Sequence, residues 1–325
     1  MNLLNNSLGG NLVEGFCIIK SMEQRTTQRG QIYLDLVLSD AGGEISAKLW
    51  DYSEARHGAY ASDDVIKVRG TVDVWNGSPQ LRVERIRKAN DADEVNYDAL
   101  IETAPFSNEL MYKAIVQIVS DFKDSDLRAI MLAVIEERRE KLLIWPAAVK
   151  FHHAMRGGLL YHTLSIVRMA QSACKLYTFL DEELLVSGAI LHDLAKIDEL
   201  DANENGSASS YTAEGILLGH LVKGAINLDS VAKRLGTPEE LTMLLQHMVI
   251  SHHGCPEFGS AVMPMFPEAQ MLALLDDADA KMFEFAAALE GVGEGEFSQK
   301  QWALDNRRIY NHGRGGYFKT QVLED

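Results

Sequence analysis

The first 90 residues show the alternation of apolar and polar positions that is typical of β-strands. From Ile32 to Leu38 every even-numbered residue is apolar, and residues 45–50 alternate in a similar way. Two longer runs of the same kind are Val65–Trp75 and Gln80–Ile86. Turn residues separate the runs at positions 29–30, 40–43 and 76–79. We therefore predict about five strands, closed into a small antiparallel barrel because closure removes exposed sheet edges.

After Asn90 the periodicity changes to that of α-helices. Apolar residues recur at intervals of three and four in Leu110–Val119 and in Leu127–Ile135. From Leu159 to Phe285 long amphipathic segments alternate with short polar loops, and no strand pattern interrupts them. Within this stretch, Leu184–Lys196 is mostly apolar and predicts one buried helix. The pattern as a whole predicts an all-α second domain.

The length of the chain, 325 residues, exceeds the usual size of one domain, so we expect more than one core. The patterns place the barrel at residues 1–90, a helical connector at 91–150, the main helical domain at 151–290 and a C-terminal tail at 291–325.

Composition and cysteine content indicate a globular, cytoplasmic protein. Hydrophobic residues make up 46% and charged residues 24% of the chain, and no apolar run approaches the roughly 20 residues that span a bilayer. Met1–Gly10 has no Lys or Arg ahead of an apolar stretch, so no secretory signal is predicted. Cys17, Cys174 and Cys255 are odd in number and far apart, which suits a reducing compartment.

The net charge of −16 is unevenly distributed. Of the 31 Lys and Arg and the 47 Asp and Glu, residues 1–90 contain 11 of each class, which leaves 20 basic and 36 acidic residues for the remainder. Such an acidic chain repels nucleic acid and anionic membranes at long range, which opposes nonspecific adhesion. We expect most of the excess acidic residues to lie on the solvated surface, and a smaller number to surround a metal site.

A series of histidines and aspartates is the part of the sequence that indicates chemistry. In chain order the series is His162, His192-Asp193, His220, His252-His253 and Asp276. Its members lie about 24 to 32 residues apart, so each can occupy a successive helix of one bundle, where bundle proteins build metal sites. Imidazole and carboxylate together suit Mn, Fe, Co, Ni or Zn. A single buried histidine is more often a core residue than a ligand, but the ordered set predicts metal binding, with enough donors for two sites.

This order of residues resembles the HD-domain phosphohydrolases and, more closely, the YhaM family of 3′-to-5′ exoribonucleases. The matching stretches in the helical part are Phe151–His162, Ile190–Lys196, Leu218–His220, Ser251–Ser260 and Leu275–Lys281. Glu14–Phe16 and Ile45–Asp51 are similar to the OB-fold half of that family. The resemblance implies an N-terminal OB-fold barrel followed by an all-α HD-domain bundle.

The resemblance also implies a ligand set. Its pattern assigns one metal ion to His162, His192, Asp193 and Asp276, and a second ion to Asp193, His220 and His252. His253 is an alternative to His252, and Asp279 and His153 are expected behind the ligands or as alternative ligands. Asp276 is preferred to Asp279 because it comes first in the Asp-x-x-Asp-Ala stretch. The family favours manganese, with cobalt, iron and nickel as alternatives.

The resemblance implies hydrolysis of phosphodiester bonds by a metal-activated water. Two cations would lower the pKa of a water and neutralise charge on the phosphoryl oxygens. Lys196 and Arg156 are then expected to face the phosphate, with His153 as a further donor. No protein nucleophile is convincing, since Ser251 beside His252 is more typical of a structural hydroxyl. Digestion from the 3′ end rests wholly on the resemblance.

An OB-fold binds single strands through aromatic residues and a basic groove, so single-stranded RNA is the expected partner, with single-stranded DNA left open. The candidates on the predicted strands and turns are Arg25, Arg29, Lys48, Trp50, Lys67, Arg69, Trp75 and Arg82. Alternatively, Trp50 or Trp75 fills the core of the barrel. A homo-oligomer is also compatible with the sequence.

The tail from Trp302 to Tyr317 combines aromatic and basic residues in the same way, with Arg307, Arg308, Tyr310 and Arg314. Packing of this tail on the helical domain is favoured over contact with RNA.

Two other functions fit the same sequence. One is an HD phosphodiesterase or phosphatase that acts on small nucleotides, and faster hydrolysis of a mononucleotide than of an oligomer would indicate it. The other is a nonenzymatic single-strand-binding protein with a structural metal, which would still bind after chelation but would not hydrolyse. The complete ligand set and Lys196 argue against the second.

Overall fold

The computed structural model describes residues 12–75, 78–90, 92–149, 153–315 and 320–323. Several predicted features lie outside the described residues: Met1–Gly10, the Asn76-Gly77 part of one turn, Phe151-His152 and Tyr317. The chain forms two compact units, Met1–Glu102 and Thr103–Asp325. The finer boundaries at residues 90, 150 and 290 stay predictions.

The first unit contains the predicted barrel of five strands. They are β1 (Leu12–Thr26), β2 (Ile32–Asp40), β3 (Gly43–Leu49), β4 (Val65–Trp75) and β5 (Ser78–Lys88), and the short helix α1 (Glu54–His57) lies between β3 and β4. The strand order is β1-β2-β3-β5-β4, and pairing of β1 with β4 closes the barrel. The pairs are antiparallel except β3 with β5, which is parallel.

The core of the barrel is aliphatic. The even-numbered leucines of β2, Leu34, Leu36 and Leu38, are each at most 1% exposed, as the alternation in sequence predicts. Trp50 is 43% exposed and Trp75 is 68% exposed. The alternative that either tryptophan fills the core is therefore wrong, because small aliphatic side chains already occupy the narrow interior.

The second unit is a bundle of helices. They are α2 (Asn108–Ser120), α3 (Ser125–Glu137), α4 (Arg139–Leu142), α5 (Gly158–Leu176), α6 (Glu182–Leu191), α7 (Lys196–Glu199), α8 (Ala213–Leu235), α9 (Glu239–Ser251) and α10 (Pro267–Leu289). Side chains of Asp124, Asp181 and Thr212 accept hydrogen bonds from the first turns of α3, α6 and α8, which satisfies amide groups that have no partner within the helix. No helix in the described residues is long and apolar enough to cross a membrane.

Two expectations for the second unit were wrong in detail. A short hairpin, β6 (Leu200–Ala202) with β7 (Ala208–Tyr211), interrupts the helices, and its strands are too short to show a period-two pattern. The predicted helix Leu184–Lys196 ends at Leu191, and a tight turn leads into α7. His192 keeps helical backbone angles at the end of α6, and residues 192–195 form the turn that leads into α7.

Helices α2 and α3 share their core with the rest of the bundle. Met111 and Ile115 of α2 and Ile130 of α3 are fully buried in the same hydrophobic cluster as Leu164 of α5 and Leu185 of α6. Residues 108–137 are thus an integral layer of the helical unit.

The C-terminal tail packs on the helical unit, as the sequence predicted. Leu304 and Ile309 are buried against Leu289 at the end of α10. Further along, Val322 is 1% exposed within the main core, and the hydroxyl of Tyr161 on α5 donates to the carbonyl oxygen of Thr320 at 3.0 Å.

Candidate metal centre and nucleic-acid surface

The predicted ligands converge in the interior of the helical unit. His162 comes from α5, His220 from α8 and Asp276 from α10, while His192 and Asp193 directly follow α6 and His252 directly follows α9. Five of these six residues are at most 9% exposed. Positions that are far apart in sequence therefore form one buried group.

Asp193 lies between two sets of imidazole nitrogens. Its Oδ2 atom is 3.4 Å from Nε2 of His192 and 3.6 Å from Nε2 of His162. Its Oδ1 atom is 3.4 Å from Nε2 of His220 and 3.6 Å from Nε2 of His252. Each carboxylate oxygen thus faces a separate pair of histidines.

Asp276 completes the first set. Its Oδ1 atom lies 3.2 Å from Nε2 of His162 and 3.7 Å from Nε2 of His192. Two imidazoles and two carboxylates therefore point at one volume on the Oδ2 side of Asp193.

Several atoms of the group have no hydrogen-bond partner in the part of the chain that the structure describes: Asp193 Oδ1, His220 Nε2 and His252 Nε2. Each such buried polar atom destabilises the fold by about 1–3 kcal/mol unless something binds it. A divalent cation would bind all of them at once, and imidazole with carboxylate is the ligand set that such cations prefer. The residues therefore fit a divalent metal centre.

His162, His192, His220 and His252 each make a hydrogen bond through Nδ1, and the Nε2 atom of each ring faces Asp193. With its proton on Nδ1, each ring donates to an oxygen at 2.7–2.9 Å. The acceptors are Asp279 for His162, the Ala189 carbonyl for His192, Glu199 for His220 and the Val249 carbonyl for His252. Such bonds fix the tautomer and orientation of metal-binding histidines.

Asp279 and His153 lie on the Nδ1 side of His162, away from Asp193. Asp279 Oδ2 accepts from His162 at 2.8 Å and from His153 Nε2 at 2.9 Å, and Asp279 Oδ1 accepts from the Ser165 hydroxyl. His153, His162 and Asp279 also form a group compact enough to hold an ion. The contacts that the structure gives Asp279 are those of a residue that orients His162.

His253 lies close to the second set of histidines. Its Nδ1 atom is 2.8 Å from the carbonyl oxygen of Phe258, and it offers a ligand nitrogen within 4.8 Å of those of His220 and His252. The structure thus brings both members of the His252-His253 pair within reach of one ion.

The two basic residues predicted to face the phosphate, Lys196 and Arg156, have different surroundings. Lys196 Nζ lies 2.7 Å from Asp193 Oδ2 and is largely buried. Arg156 Nη1 donates to the Glu204 carbonyl oxygen at 3.1 Å, in the loop between β6 and β7. The structure therefore joins Lys196 to the metal centre, and the role of Arg156 at a phosphate stays a prediction.

Electrostatic interactions keep the centre ionised. Burial raises the pKa of Asp193, but Lys196 and His192 outweigh burial and hold that pKa well below its usual range. Burial lowers the pKa of Lys196, and its attraction to Asp193 outweighs burial and raises it. Burial lowers the pKa of His252 to about 4, so this ring is neutral at neutral pH, as a ligand must be.

The pKa of His162 is shifted in the opposite direction to that of His252. Burial lowers its pKa, but hydrogen bonds to Asp276 and Asp279 outweigh burial and raise it to about 10. A cation held by His162 and Asp276 would take the place of the proton on Nε2, because a metal ligand has to be deprotonated.

Sequence patterns missed Glu199 and Gly219. Glu199 accepts from the backbone N–H of His220 at 3.1 Å as well as from its ring. Gly219 has φ 67° and ψ 166° and interrupts α8, so His220 turns towards Asp193. Only glycine adopts this backbone conformation without strain. A glycine inside a helical pattern, next to a histidine, was the available signal.

On the barrel, part of the predicted nucleic-acid set forms a cluster over β1, β2 and β3. The rings of Tyr33 and Trp50 lie 4.6 Å apart, and Lys48 Nζ is 5.0 Å from the Tyr33 ring and 5.7 Å from the Trp50 ring. Arg25 pairs with Tyr33 across the strands, and Lys48 pairs with Arg82 of β5. Tyr33 was not among the predicted residues, because the alternation in β2 shows only that its side chain faces outward and does not show that its ring could stack on a base.

The other predicted residues are dispersed. Lys67 lies over the Phe16 ring at 5.5 Å, and Arg69 pairs with Glu14 at 3.7 Å, both on the β1–β4 pair. Trp75 is exposed at the end of β4, and Arg29 lies in the turn between β1 and β2. Among the described residues, no contact joins these four to the Tyr33–Trp50 cluster, and their role in binding nucleic acid stays a prediction.

Two family models match the chain. An HD domain matches residues 159–281, and an OB-fold nucleic acid binding domain matches residues 18–89. The first range contains the metal centre and the second contains the Tyr33–Trp50 cluster.

Relatives match over nearly the whole length. The 3′-5′ exoribonuclease YhaM of Bacillus subtilis is 37% identical over 301 residues, which are 93% of this chain and 95% of the relative. The YhaM exoribonuclease of a Geobacillus species is 37% identical and covers 93% and 92% of the two chains. That of Listeria monocytogenes is 35% identical over 93% of this chain and 96% of its own.

Proposed function

We propose that this chain, which belongs to the YhaM family of 3′-to-5′ exoribonucleases, removes nucleotides from the 3′ end of single-stranded RNA by metal-dependent hydrolysis. The observation that carries the proposal is the position of Asp193, whose two oxygens face separate pairs of histidine nitrogens at 3.4–3.6 Å.

Two divalent cations are the proposed cofactors. His162, His192, Asp193 and Asp276 would hold one ion, and Asp193, His220 and His252 would hold the other, with His253 close enough to join them. When bound, the ions supply a water of lowered pKa and neutralise charge on the phosphoryl oxygens. Manganese is the proposed metal, with cobalt, iron and nickel as alternatives for the same ligand set.

Lys196 is the residue proposed to neutralise charge on the scissile phosphate. Its ammonium group is charged, lies 2.7 Å from Asp193 and is only 14% exposed. A preorganised cation in a site with little water stabilises a developing negative charge more strongly than one in bulk water does. Arg156 would assist from the β6–β7 loop, and Asp279 with His153 would keep His162 oriented.

The barrel is proposed to hold the RNA strand. Tyr33 and Trp50 offer partly exposed rings for stacking, which contributes about 1–3 kcal/mol per base. Arg25 and Lys48 both pair with Asp35 beside these rings, and Arg82 lies on the next strand and pairs with Asp73; these three cations would contact phosphates. Binding of single-stranded DNA and assembly into a homo-oligomer are further proposals from the sequence.

A cytoplasmic location is also proposed. Cys17, Cys174 and Cys255 are free thiols in the structure, which suits a reducing compartment.

A sequencing gel with 5′-labelled single-stranded RNA and Mn²⁺ tests the activity. The test variant is Asp276→Asn, and its matched control is Asp277→Asn, because Asp277 is a neighbouring exposed carboxylate that pairs with Lys281. We expect wild type and Asp277→Asn to produce a ladder that shortens from the 3′ end. Asp276→Asn and wild type in EDTA should leave the RNA intact.

Equivalent DNA and a mononucleotide are run beside the RNA. Intact RNA with every metal, together with hydrolysis of the mononucleotide, would replace the exonuclease proposal by one of a small-nucleotide phosphodiesterase.

A further inference from the structure

The segment 297–314, beyond both family-model matches, exposes three aromatic rings. Phe297 is 52% exposed, Trp302 72% and Tyr310 47%. Burial of each ring would stabilise a fold by several kcal/mol, so their exposure is not a consequence of packing. We call Phe297, Arg308 and Tyr310, together with the exposed ring of Trp302 in the adjoining turn, the C-terminal aromatic surface.

A rigid base supports this surface. Isolated bridges pair Phe297 with Tyr310 and Gln301 with Arg307, and the N–H of Ser298 donates to the Ile309 carbonyl oxygen at 2.8 Å. The apolar residues of the segment that face inward, Leu304 and Ile309, are buried at the end of α10. The rings of Phe297 and Tyr310 therefore stand on paired backbone whose neighbouring residue Ile309 packs inward.

The geometry of the surface combines stacking with positive charge. The rings of Phe297 and Tyr310 lie 5.0 Å apart, and the Arg308 guanidinium carbon lies 5.4 Å from the Phe297 ring. Arg308 Nε donates to the Ser298 carbonyl oxygen at 3.1 Å. Among the described residues Arg308 pairs with no carboxylate, so its charge is not neutralised locally.

The local charge is opposite to that of the whole chain. Residues 294–314 contain four basic side chains, Lys300, Arg307, Arg308 and Arg314, and three acidic side chains, Glu294, Glu296 and Asp305, so the segment carries a small positive charge. The chain as a whole has a net charge of −16. A polyanion is therefore attracted to this segment and repelled by most of the remaining surface.

From these observations we propose that the C-terminal aromatic surface is a second binding site for single-stranded RNA, with bases stacked on its rings and phosphates paired with Arg308. The identity of the strand as substrate rests on the proposed function. Asp276 and Leu289 lie 13 residues apart on α10, about 20 Å at the helical rise. That distance equals several nucleotides, so the surface would hold the strand upstream of the end being cut.

Fluorescence anisotropy with a labelled RNA of about 20 nucleotides, in EDTA so that nothing is cleaved, tests the proposal. The double variant Trp302→Ala/Tyr310→Ala should raise the Kd about fivefold or more, since stacking of even one base is lost. Arg308→Gln should reduce the slope of log K against log salt by about 0.7, which is the effect of one phosphate contact on a single strand.

Phe179→Ala is the matched control. Phe179 is 72% exposed, as Trp302 is, and it lies 6.0 Å from the ring of Tyr177, but acidic residues, Asp181 to Glu183, follow it. Because its surroundings repel phosphate, this variant should leave the Kd unchanged. Hydrolysis of bis(p-nitrophenyl) phosphate, which has no strand, should be equal in all variants.

Unchanged Kd and salt slope in the surface variants would overturn the proposal. A change in oligomeric mass without a change in RNA binding would also overturn it, because that result would indicate a protein interface. Wild type that binds RNA through the surface but cleaves none would contradict the proposed function and leave this inference standing.

Discussion

Orientation of single side chains determines how the centre can bind metal. His220 has two hydrogen bonds to Glu199, one from its backbone N–H and one from its ring, and these leave Nε2 directed at Asp193. His162 is held in the same way by Asp279. In the proposed function, these two carboxylates act on the metal through the histidines that they orient.

Glu199→Gln should lower activity by about 10–100-fold, the usual effect of removing a group that orients a metal ligand. The amide keeps the size of the side chain but can present its NH₂ to His220 and disturb the tautomer. Steady-state kinetics across a manganese titration measure the effect, which should diminish at high metal concentration. Glu214→Gln is the control, because Glu214 is an exposed carboxylate that pairs only with Lys223 among the described residues. Equal losses of activity in both variants would contradict the role of Glu199.

Gly219→Ala should weaken metal binding as well as stability. A β-carbon at φ 67° costs about 1–3 kcal/mol of backbone strain, and relief of this strain would move His220. Gly236→Ala introduces a β-carbon at φ 71° at the end of α8, where no atom lies within 4 Å, so it serves as the control for strain alone. Thermal unfolding should show both losses of stability, whereas calorimetric titration should show weaker metal binding only in Gly219→Ala. Equal metal affinity in the two variants would contradict this account.

The convergence of the proposed ligands was predictable because histidine and aspartate are rare inside apolar helices, so their order was informative, and the family resemblance assigned each one its role. Glu199 was not predictable, because Asp198, Glu199 and Asp201 are equivalent in sequence and only the fold distinguishes them. Tyr33 was missed for a similar reason: every outward residue of a strand satisfies the alternation.

At the scale of secondary-structure elements, α5 connects the metal centre to the end of the chain. Tyr161 is adjacent to the proposed ligand His162, and its hydroxyl donates to the Thr320 carbonyl oxygen. Arg168 Nε donates to the Val322 carbonyl oxygen at 3.0 Å. The C-terminal segment is thus part of the packing that positions α5.

Val322→Ala should lower the free energy of unfolding of the helical unit by roughly 1–3 kcal/mol, because it removes fully buried methyl groups and leaves a cavity. Val222→Ala on α8 is the control, since Val222 is 43% exposed and alanine favours a helix, so its effect should stay within about 0.5 kcal/mol. Urea titration followed by circular dichroism measures both, and no difference between the variants would show that the segment does not pack as described.

The strands and long helices were predictable because one periodicity repeats over many residues. The break after Leu191 was not predictable, because the local apolar character favours a continuous helix and the turn that follows contains neither glycine nor proline. The β6–β7 hairpin follows α7 and precedes α8, and its short strands carry no periodic signal.

At the scale of the whole molecule, the two units have separate hydrophobic cores, and the metal centre belongs to one of them. Metal binding to the folded state stabilises only the unit that contains the ligands.

EDTA should therefore lower the unfolding temperature of the helical unit and leave that of the barrel unchanged. At a metal concentration about 100 times the Kd, binding contributes about 2.7 kcal/mol, which calorimetry detects as a displaced transition. Trp145 is 6% exposed and donates to the Lys196 carbonyl oxygen at 3.2 Å, so in a variant whose other three tryptophans are replaced by phenylalanine its fluorescence reports the helical unit. An equal shift of every transition would contradict the assignment of the metal to one unit.

Metal content per chain, measured by mass spectrometry after loading with Mn²⁺ and gel filtration, tests the two-ion centre around Asp193 most directly. Wild type should carry two ions, His220→Ala should keep one, and Asp193→Ala should lose both, since Asp193 is the only residue placed between the two sets of ligands among those the structure describes. A single ion in wild type that persists in His220→Ala would contradict the account.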